Sequence, residues 1–161
     1  MDTASLLLSV SQLGVGLAGF SAVIVTLNPR PIKEWDTTDR LNLRVLVQVS
    51  FVVLFFSLFP LVLGISLSDE KVWLYGLWLY GVLHLIDVSS FLLKMTPETP
   101  AIFRFTAYGG VAVAIVQIAI AWLGDSNTRE LTYVATLVWH LYVVFMGFVM
   151  LLYKMRKPGQ G

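Results

Sequence analysis

The sequence predicts an all-α integral membrane protein, a bundle of five transmembrane helices with the N-terminus outside and the C-terminus inside. Three observations predict this fold. The chain of 161 residues is 57% hydrophobic and 13% charged, whereas soluble domains carry about 25% charged residues. Five apolar runs are each long enough to supply the roughly 20 residues that a helix needs to cross a bilayer. The basic residues gather at alternate ends of these runs.

The five predicted helices cover residues 4–27, 41–67, 72–93, 101–123 and 131–153. Within them, runs such as 111–123 lack the alternation of apolar and polar residues that a membrane β-strand would show. The connecting segments are short, so we expect one transmembrane domain over residues 1–161 and no separate soluble domain. The first run is too long for the apolar part of a signal peptide, and we expect it to be retained as the first helix.

The positions of the basic residues predict the orientation. Of the 11 Lys and Arg residues, Lys71 and Arg129 lie on one side of the helices, which leaves nine on the other. These nine are Arg30, Lys33, Arg40, Arg44, Lys94, Arg104, Lys154, Arg156 and Lys157. Because cytoplasmic loops carry the excess of Lys and Arg, the side with nine is expected to face the cytoplasm.

Two opposite faces of the first predicted helix carry small or polar residues. One face, called the polar stripe below, consists of Ser5, Ser9, Gln12, Gly16 and Gly19; the other consists of Ser11, Gly14, Ala18, Ser21 and Ala22. Small residues let helices approach closely in lipid, so we expect contacts on both faces. The polar stripe either packs against another helix or lines a water path, and Gln48 and Gln117 of later helices are further candidates for such a lining.

The fourth predicted helix has a similar edge, formed by Gly110, Ala114, Gln117 and Ala121. We expect this edge to pack against the first helix, because small residues favour close helix contacts. Small-residue faces on two helices also predict a homo-oligomer.

Polar residues in the third predicted helix are the leading candidates for a functional site. The spacing of Tyr80, His84 and Asp87 places them on one helical face. An ionisable residue inside an apolar run is costly and usually marks a function, here the relay of protons or the coupling of transport. The alternative is a structural ion pair between Asp87 and one of three arginines, Arg44, Arg40 or Arg104.

His140 in the fifth predicted helix has two interpretations. With His84 and Asp87 it would supply ligands of the kind that a metal site uses. The other interpretation, which the sequence favours, is a hydrogen bond between helices to Gln12, Gln48 or Gln117. We therefore predict no metal and no cofactor.

The first loop, residues 28–39, is the longest connection. Pro29 and Pro31 end the first helix, and Asp36 or Thr37 is expected to cap the second, with Asp39 adding favourable charge in its first turn. Trp35 is expected to hold the loop in the membrane interface, as an anchored connector or as a lid.

Several functional classes are excluded or disfavoured. The chain contains no cysteine, which excludes thiolate catalysis and cysteine metal sites. The net charge of +1 argues against nucleic-acid binding. No phosphate-binding glycine motif and no G-x-S-x-G motif are present, and only one acid lies deep in an apolar run, so we do not expect an enzyme.

Five helices in a chain this short, rich in Trp and Tyr, resemble the translocator protein family, whose members bind tetrapyrroles and sterols. That family's tryptophan-and-proline segment at the start of the second helix is not matched by residues 35–39, so no binding residues are transferred. We expect the protein to be a homo-oligomeric channel or transporter for an ion or small solute. It is expected to be embedded in the lipid bilayer of a bacterial-type cell membrane. The alternatives are a membrane-embedded ligand-binding or sensing module and an accessory subunit bound to another membrane protein.

Overall fold

The structure is a computed structural model that describes residues 2–28, 31–97 and 99–156. For Thr38, Tyr153, Lys154, Met155 and Arg156 the description stops at the backbone. The order of elements is α1 (Thr3–Leu27), a 3₁₀ turn (Ile32–Glu34), α2 (Thr37–Leu63), α3 (Asp69–Leu92), α4 (Ala101–Leu123) and α5 (Ser126–Arg156). All five α-helices are long and apolar enough to cross a membrane, and the described residues include no strand.

The prediction of five membrane-spanning helices is therefore confirmed by length and composition. For four of the basic residues that were counted for the orientation, the structure describes either nothing or only the backbone. They are Arg30 and Lys157, and the side chains of Lys154 and Arg156.

Four of the five helices begin earlier than predicted, α1 by one residue, α3 by three, α2 by four and α5 by five. For α2 and α5, aspartate side chains cap the earlier start. The side chain of Asp36 accepts a hydrogen bond from the Asp39 amide at 2.8 Å, so α2 begins at residue 37 rather than 41. The side chain of Asp125 accepts one from the Thr128 amide at 2.7 Å, so α5 begins at residue 126 rather than 131. This bond lowers the pKa of Asp125 from its ordinary value. The predicted bounds were wrong because they followed hydropathy, whereas caps recruit polar first turns into helices.

The chain forms two compact units, and α2 and α5 contribute to both. The first unit comprises residues 1–57 and 138–161. Its core is an apolar cluster that includes Ile24, Trp35, Leu46, Val144 and Leu151. Trp35 is only 3% exposed and packs in this core, and its position in the membrane interface stays a prediction. Because its large apolar ring fills the core, Trp35 fastens the first loop to the first unit.

One predicted contact face of α1 packs against α2 within the first unit. A Cβ added at Gly14 would lie 3.1 Å from the Ser50 carbonyl oxygen and 3.2 Å from the Leu54 amide nitrogen. Ser11 and Ser21, on the same face, are 7% and 3% exposed. The absence of a side chain at Gly14 thus lets the two backbones approach closely, as small residues do in membrane bundles.

The second unit comprises residues 58–137, with α3, α4, residues 58–63 of α2 and residues 126–137 of α5. A Cβ added at Gly81 of α3 would lie 2.9 Å from Ile118 Cγ1, and one added at Gly110 of α4 would lie 3.2 Å from Val88 Cγ2. The small edge of α4 therefore packs against α3, a partner that the prediction of packing against α1 did not name. Sequence neighbours joined by a short loop pair readily as antiparallel helices, which periodicity alone did not show.

Arg129 connects three helices of the second unit. Its Nε donates a hydrogen bond to the carbonyl of Ala121, in the last turn of α4, at 3.0 Å. Its Nη1 lies 3.8 Å from Glu70 Oε1, in the first turn of α3. Arg129 is 9% exposed, whereas the Glu70 side chain is 75% exposed. The bond to Ala121 is the stabilising part of this arrangement, because exposed ion pairs contribute little.

Candidate functional site

A hydrogen bond between α3 and α4 forms the centre of the candidate site. His84 Nδ1 lies 2.9 Å from Gln117 Oε1, and the two residues are 8% and 0% exposed. Gly81 and Gly110 make this approach possible, because added Cβ atoms would meet Gln117 Cβ at 3.0 Å and His84 Nε2 at 3.3 Å. The glycines of one helix thus face the polar residue of the other.

The direction of this hydrogen bond determines which ring nitrogen of the imidazole carries the proton. With Gln117 Oε1 as the acceptor, Nδ1 of neutral His84 carries the proton and Nε2 keeps a lone pair. The Gln117 Nε2 amide is buried and has no hydrogen-bond partner in the described chain. The same cluster therefore contains an imidazole lone pair, which can accept a proton, and a buried amide, which can donate a hydrogen bond.

Aromatic rings surround this pair within the second unit. The rings of Tyr80 and Tyr133 are 5.3 Å apart between centroids, and those of Trp73 and Tyr133 are 5.7 Å apart. Tyr80 lies 6.4 Å from the His84 ring. Both tyrosines are fully buried. The predicted grouping of Tyr80 and His84 on one buried face is present, and Tyr133 of α5 joins them.

Asp87 lies one turn beyond His84 and is half-buried. Of the three arginines predicted as its partners, Arg104 shares its unit, and there Arg104 Nε donates to the Thr99 carbonyl at 3.0 Å. A second Arg104 nitrogen donates to the Pro97 carbonyl, so this guanidinium is hydrogen-bonded twice to the loop before α4.

Arg40 and Arg44 belong to the first unit and are exposed. Arg44 Nε donates to Gln48 Oε1 at 3.3 Å. A structural ion pair of Asp87 and its part in a proton relay both stay predictions.

His140 is 7% exposed and lies in the first unit. It shares a buried face of α5 with Thr136 and Gly147. Gln117, one of its three predicted hydrogen-bond partners, instead bonds to His84, and pairing of His140 with Gln12 or Gln48 stays a prediction. Across the described residues, no three His, Cys, Asp or Glu side chains form a group that could hold a metal ion.

The polar stripe of α1 is exposed along its whole length, at Ser5, Ser9, Gln12, Gly16 and Gly19. A Cβ added at Gly16 or Gly19 would meet nothing within 4 Å. The Ser9 hydroxyl donates to the Ser5 carbonyl at 2.9 Å and is thereby satisfied within its own helix. The two faces of α1 therefore differ, since one packs against α2 and the polar stripe is open.

Sequence reasoning missed Asn42 of α2. Its side chain is 0% exposed, and neither its Oδ1 nor its Nδ2 has a hydrogen-bond partner in the described chain. Asp39, three residues earlier on the same helical face, is 8% exposed. The signal was available as spacing, because Asp39, Asn42 and Leu46 follow one face of a helix. It was overlooked because the predicted helix began at residue 41.

The described residues thus present two buried polar groups, one around His84 and Gln117 and one around Asn42, and one exposed polar stripe. Comparison with protein-family models, with curated proteins and with solved structures finds no match to this chain. Imidazole, amide and hydroxyl groups of these kinds bind and relay protons, water and small ions in membrane proteins.

Proposed function

We propose that the protein is a homo-oligomeric channel or transporter for an ion or small solute. We further propose that it lies in a cell membrane of the bacterial inner-membrane type, with its N-terminus outside and its C-terminus inside. The charge asymmetry of nine basic residues against two supports this orientation.

The exposed polar stripe is the observation that carries the proposal. Gln12 stands nine residues after the start of α1 at Thr3, which is about 14 Å along a helix that rises 1.5 Å per residue. An amide at that depth of a bilayer would face hydrocarbon, where an unpaired polar group costs several kcal/mol. Assembly of several copies would turn Gln12 away from lipid, toward a water path or a neighbouring helix.

The His84 cluster supplies the second part of the proposal. Imidazole can accept and release a proton, and the hydrogen bond of His84 to Gln117 joins α3 to α4. Asp87 lies one turn away. In our proposal this cluster couples protonation to the packing of α3 and α4, and so gates or drives passage.

The test is flux of ions and protons in liposomes that contain the purified protein. Gln12→Leu is expected to abolish flux, whereas Leu13→Ala, a change at an exposed neighbour on another face of α1, is expected to preserve it. Asp87→Asn is expected to fold and to abolish flux. Absence of flux for protons and for a panel of ions in the unaltered protein would overturn the proposal, as would undiminished flux in well-folded Gln12→Leu and Asp87→Asn.

The second candidate is an accessory subunit whose polar stripe contacts another membrane protein. The same exposed stripe favours it, because small residues suit a heterologous helix as well as a second copy. Oligomeric state separates the two candidates. The purified protein is monomeric in mild detergent if it is an accessory subunit, and forms a discrete assembly that Gln12→Leu disrupts if it conducts.

A further inference from the structure

We propose that Asn42 and Asp39 form a binding site for a small monovalent cation in the first unit. The site lies near the start of α2, beside the apolar cluster that contains Trp35. It includes no residue of the polar stripe or of the His84 cluster. The inference therefore does not depend on the proposed conduction of solutes.

The unpaired side chain of Asn42 is the starting observation. Both of its polar atoms are buried and lack hydrogen-bond partners in the described chain. Leaving a buried polar group unsatisfied destabilises a fold, and an amide has two such groups. Buried polar atoms without partners commonly mark a bound water or ion. Something other than the described chain is therefore expected to satisfy Asn42.

Gly147 of α5 leaves room beside Asn42. This glycine is buried, yet a Cβ added to it would meet, among the described residues, only the Asn42 carbonyl oxygen at 4.0 Å. A buried position in a packed interior ordinarily has closer neighbours, since protein cores contain few voids. Space for at least a methyl-sized group thus adjoins the backbone carbonyl of Asn42, whose oxygen can itself serve as a ligand for a small cation.

The negative charge of Asp39 favours a cation over an anion as the ligand. The N-terminal end of α2 carries partial positive charge, which alone would attract an anion. Asp39 lies three residues before Asn42 on the same face and is 8% exposed, and its carboxylate reverses this preference. Carboxylate and amide oxygens are ligands for hard cations, with Asn42 Nδ2 left to donate to a water of the ion's hydration shell. Divalent cations generally need more carboxylates, so one acidic side chain favours a monovalent ion.

Thermal unfolding of the full chain in detergent tests the proposal. It is measured in NaCl, in KCl and in N-methyl-D-glucamine chloride at equal ionic strength. We expect Na⁺ or K⁺ to raise the Tm by about 5–10 °C when present at about 100 times its Kd. Asn42→Leu and Gly147→Ala are expected to abolish this shift. Ser50→Ala is the matched control, because Ser50 is buried on the same helix but its hydroxyl already donates to the Leu46 carbonyl at 2.6 Å.

The results that overturn the proposal are specific. A Tm that is the same in all three salts shows that no such cation binds. A cation-dependent shift that persists in Asn42→Leu places the site elsewhere. An Asn42→Leu protein that is more stable than the unaltered protein in every salt shows that Asn42 is an unsatisfied amide in a dry core.

Cysteine labelling gives a second measurement if Asn42→Leu fails to fold. The chain has no cysteine, so Asn42→Cys introduces a single thiol. We expect Ag⁺, a small monovalent cation that binds thiols, to react with it, because the Asp39 carboxylate attracts cations. Leu46→Cys, one turn further along the same buried face, is the control and is expected to stay unmodified. Equal resistance to labelling at both positions would contradict the proposal.

Discussion

The close contact at Gly81 supports a quantitative prediction for the packing of α3 against α4. In Gly81→Ala, the new methyl group would lie 2.9 Å from Ile118 Cγ1 and 3.2 Å from the Ile118 amide nitrogen. A side chain can rotate away, but the backbone amide moves only with the helix. Overpacking of this kind costs about 1–3 kcal/mol.

Gly76→Ala is the matched control for this change. It is the same substitution five residues earlier in α3, and its methyl group would lie 3.4 Å from Tyr133 Cε2, an ordinary van der Waals contact. Both changes alter helix propensity by the same amount, up to about 1 kcal/mol in favour of alanine. The difference in unfolding free energy between the two variants therefore measures the steric effect alone.

We expect Gly81→Ala to be less stable than Gly76→Ala by about 1–3 kcal/mol. For a chain of this size, each kcal/mol shifts the Tm by about 2–4 °C, so the Tm values should differ by roughly 2–12 °C. Thermal or denaturant unfolding in detergent provides the measurement. Equal stability of the two variants, or greater stability of Gly81→Ala, would refute the close packing of α3 against α4 on which the candidate site depends.

Three further predictions concern other contacts of the second unit. Gln117→Leu is expected to destabilise the protein by about 1–3 kcal/mol, because it removes the acceptor of the His84 hydrogen bond. In a double-mutant cycle with His84→Phe, the losses of unfolding free energy in the two single variants should not add up in the double variant. Arg129→Met is expected to lower stability clearly, whereas Glu70→Gln should change the unfolding free energy by less than about 1 kcal/mol, since the glutamate is exposed. The pKa of Asp125 is lower in the folded protein than its ordinary value of 3.8. The ionised Asp125 carboxylate therefore stabilises the fold above that pH, and this stabilisation is lost as the pH falls through the folded pKa. Acid unfolding should show this loss in the unaltered protein and not in Asp125→Asn.

Much of the helical architecture could be predicted from the sequence because hydrophobic length is a one-dimensional property. A run of about 20 apolar residues predicts a spanning helix without any knowledge of its neighbours. The bounds 101–123 of the fourth helix were predicted as they are observed. The second and fifth helices began earlier than predicted, because the caps at Asp36 and Asp125 depend on local hydrogen bonds that hydropathy does not report.

The candidate site could be predicted only in part. Periodicity placed Tyr80 and His84 on one buried face, since spacing along one helix determines which side chains share a face. It could not assign Gln117 to His84 rather than to His140, because that pairing depends on which helices are neighbours. Burial of Asn42 escaped prediction for a different reason, because the predicted start of α2 at residue 41 left Asp39 outside the helix and hid the face that the two residues share.

The sequence by itself determined that the chain forms five helices long and apolar enough to span a membrane, because hydrophobic length and composition are properties of single segments. The tertiary structure decided which face of each helix meets another. It buried the Gly14 face of α1 and left the polar stripe exposed, joined His84 to Gln117, and placed Asn42 without a hydrogen-bond partner beside Gly147. Such pairings depend on how closely two helix backbones approach. Glycines permit a close approach, but only the packed helices establish where it occurs.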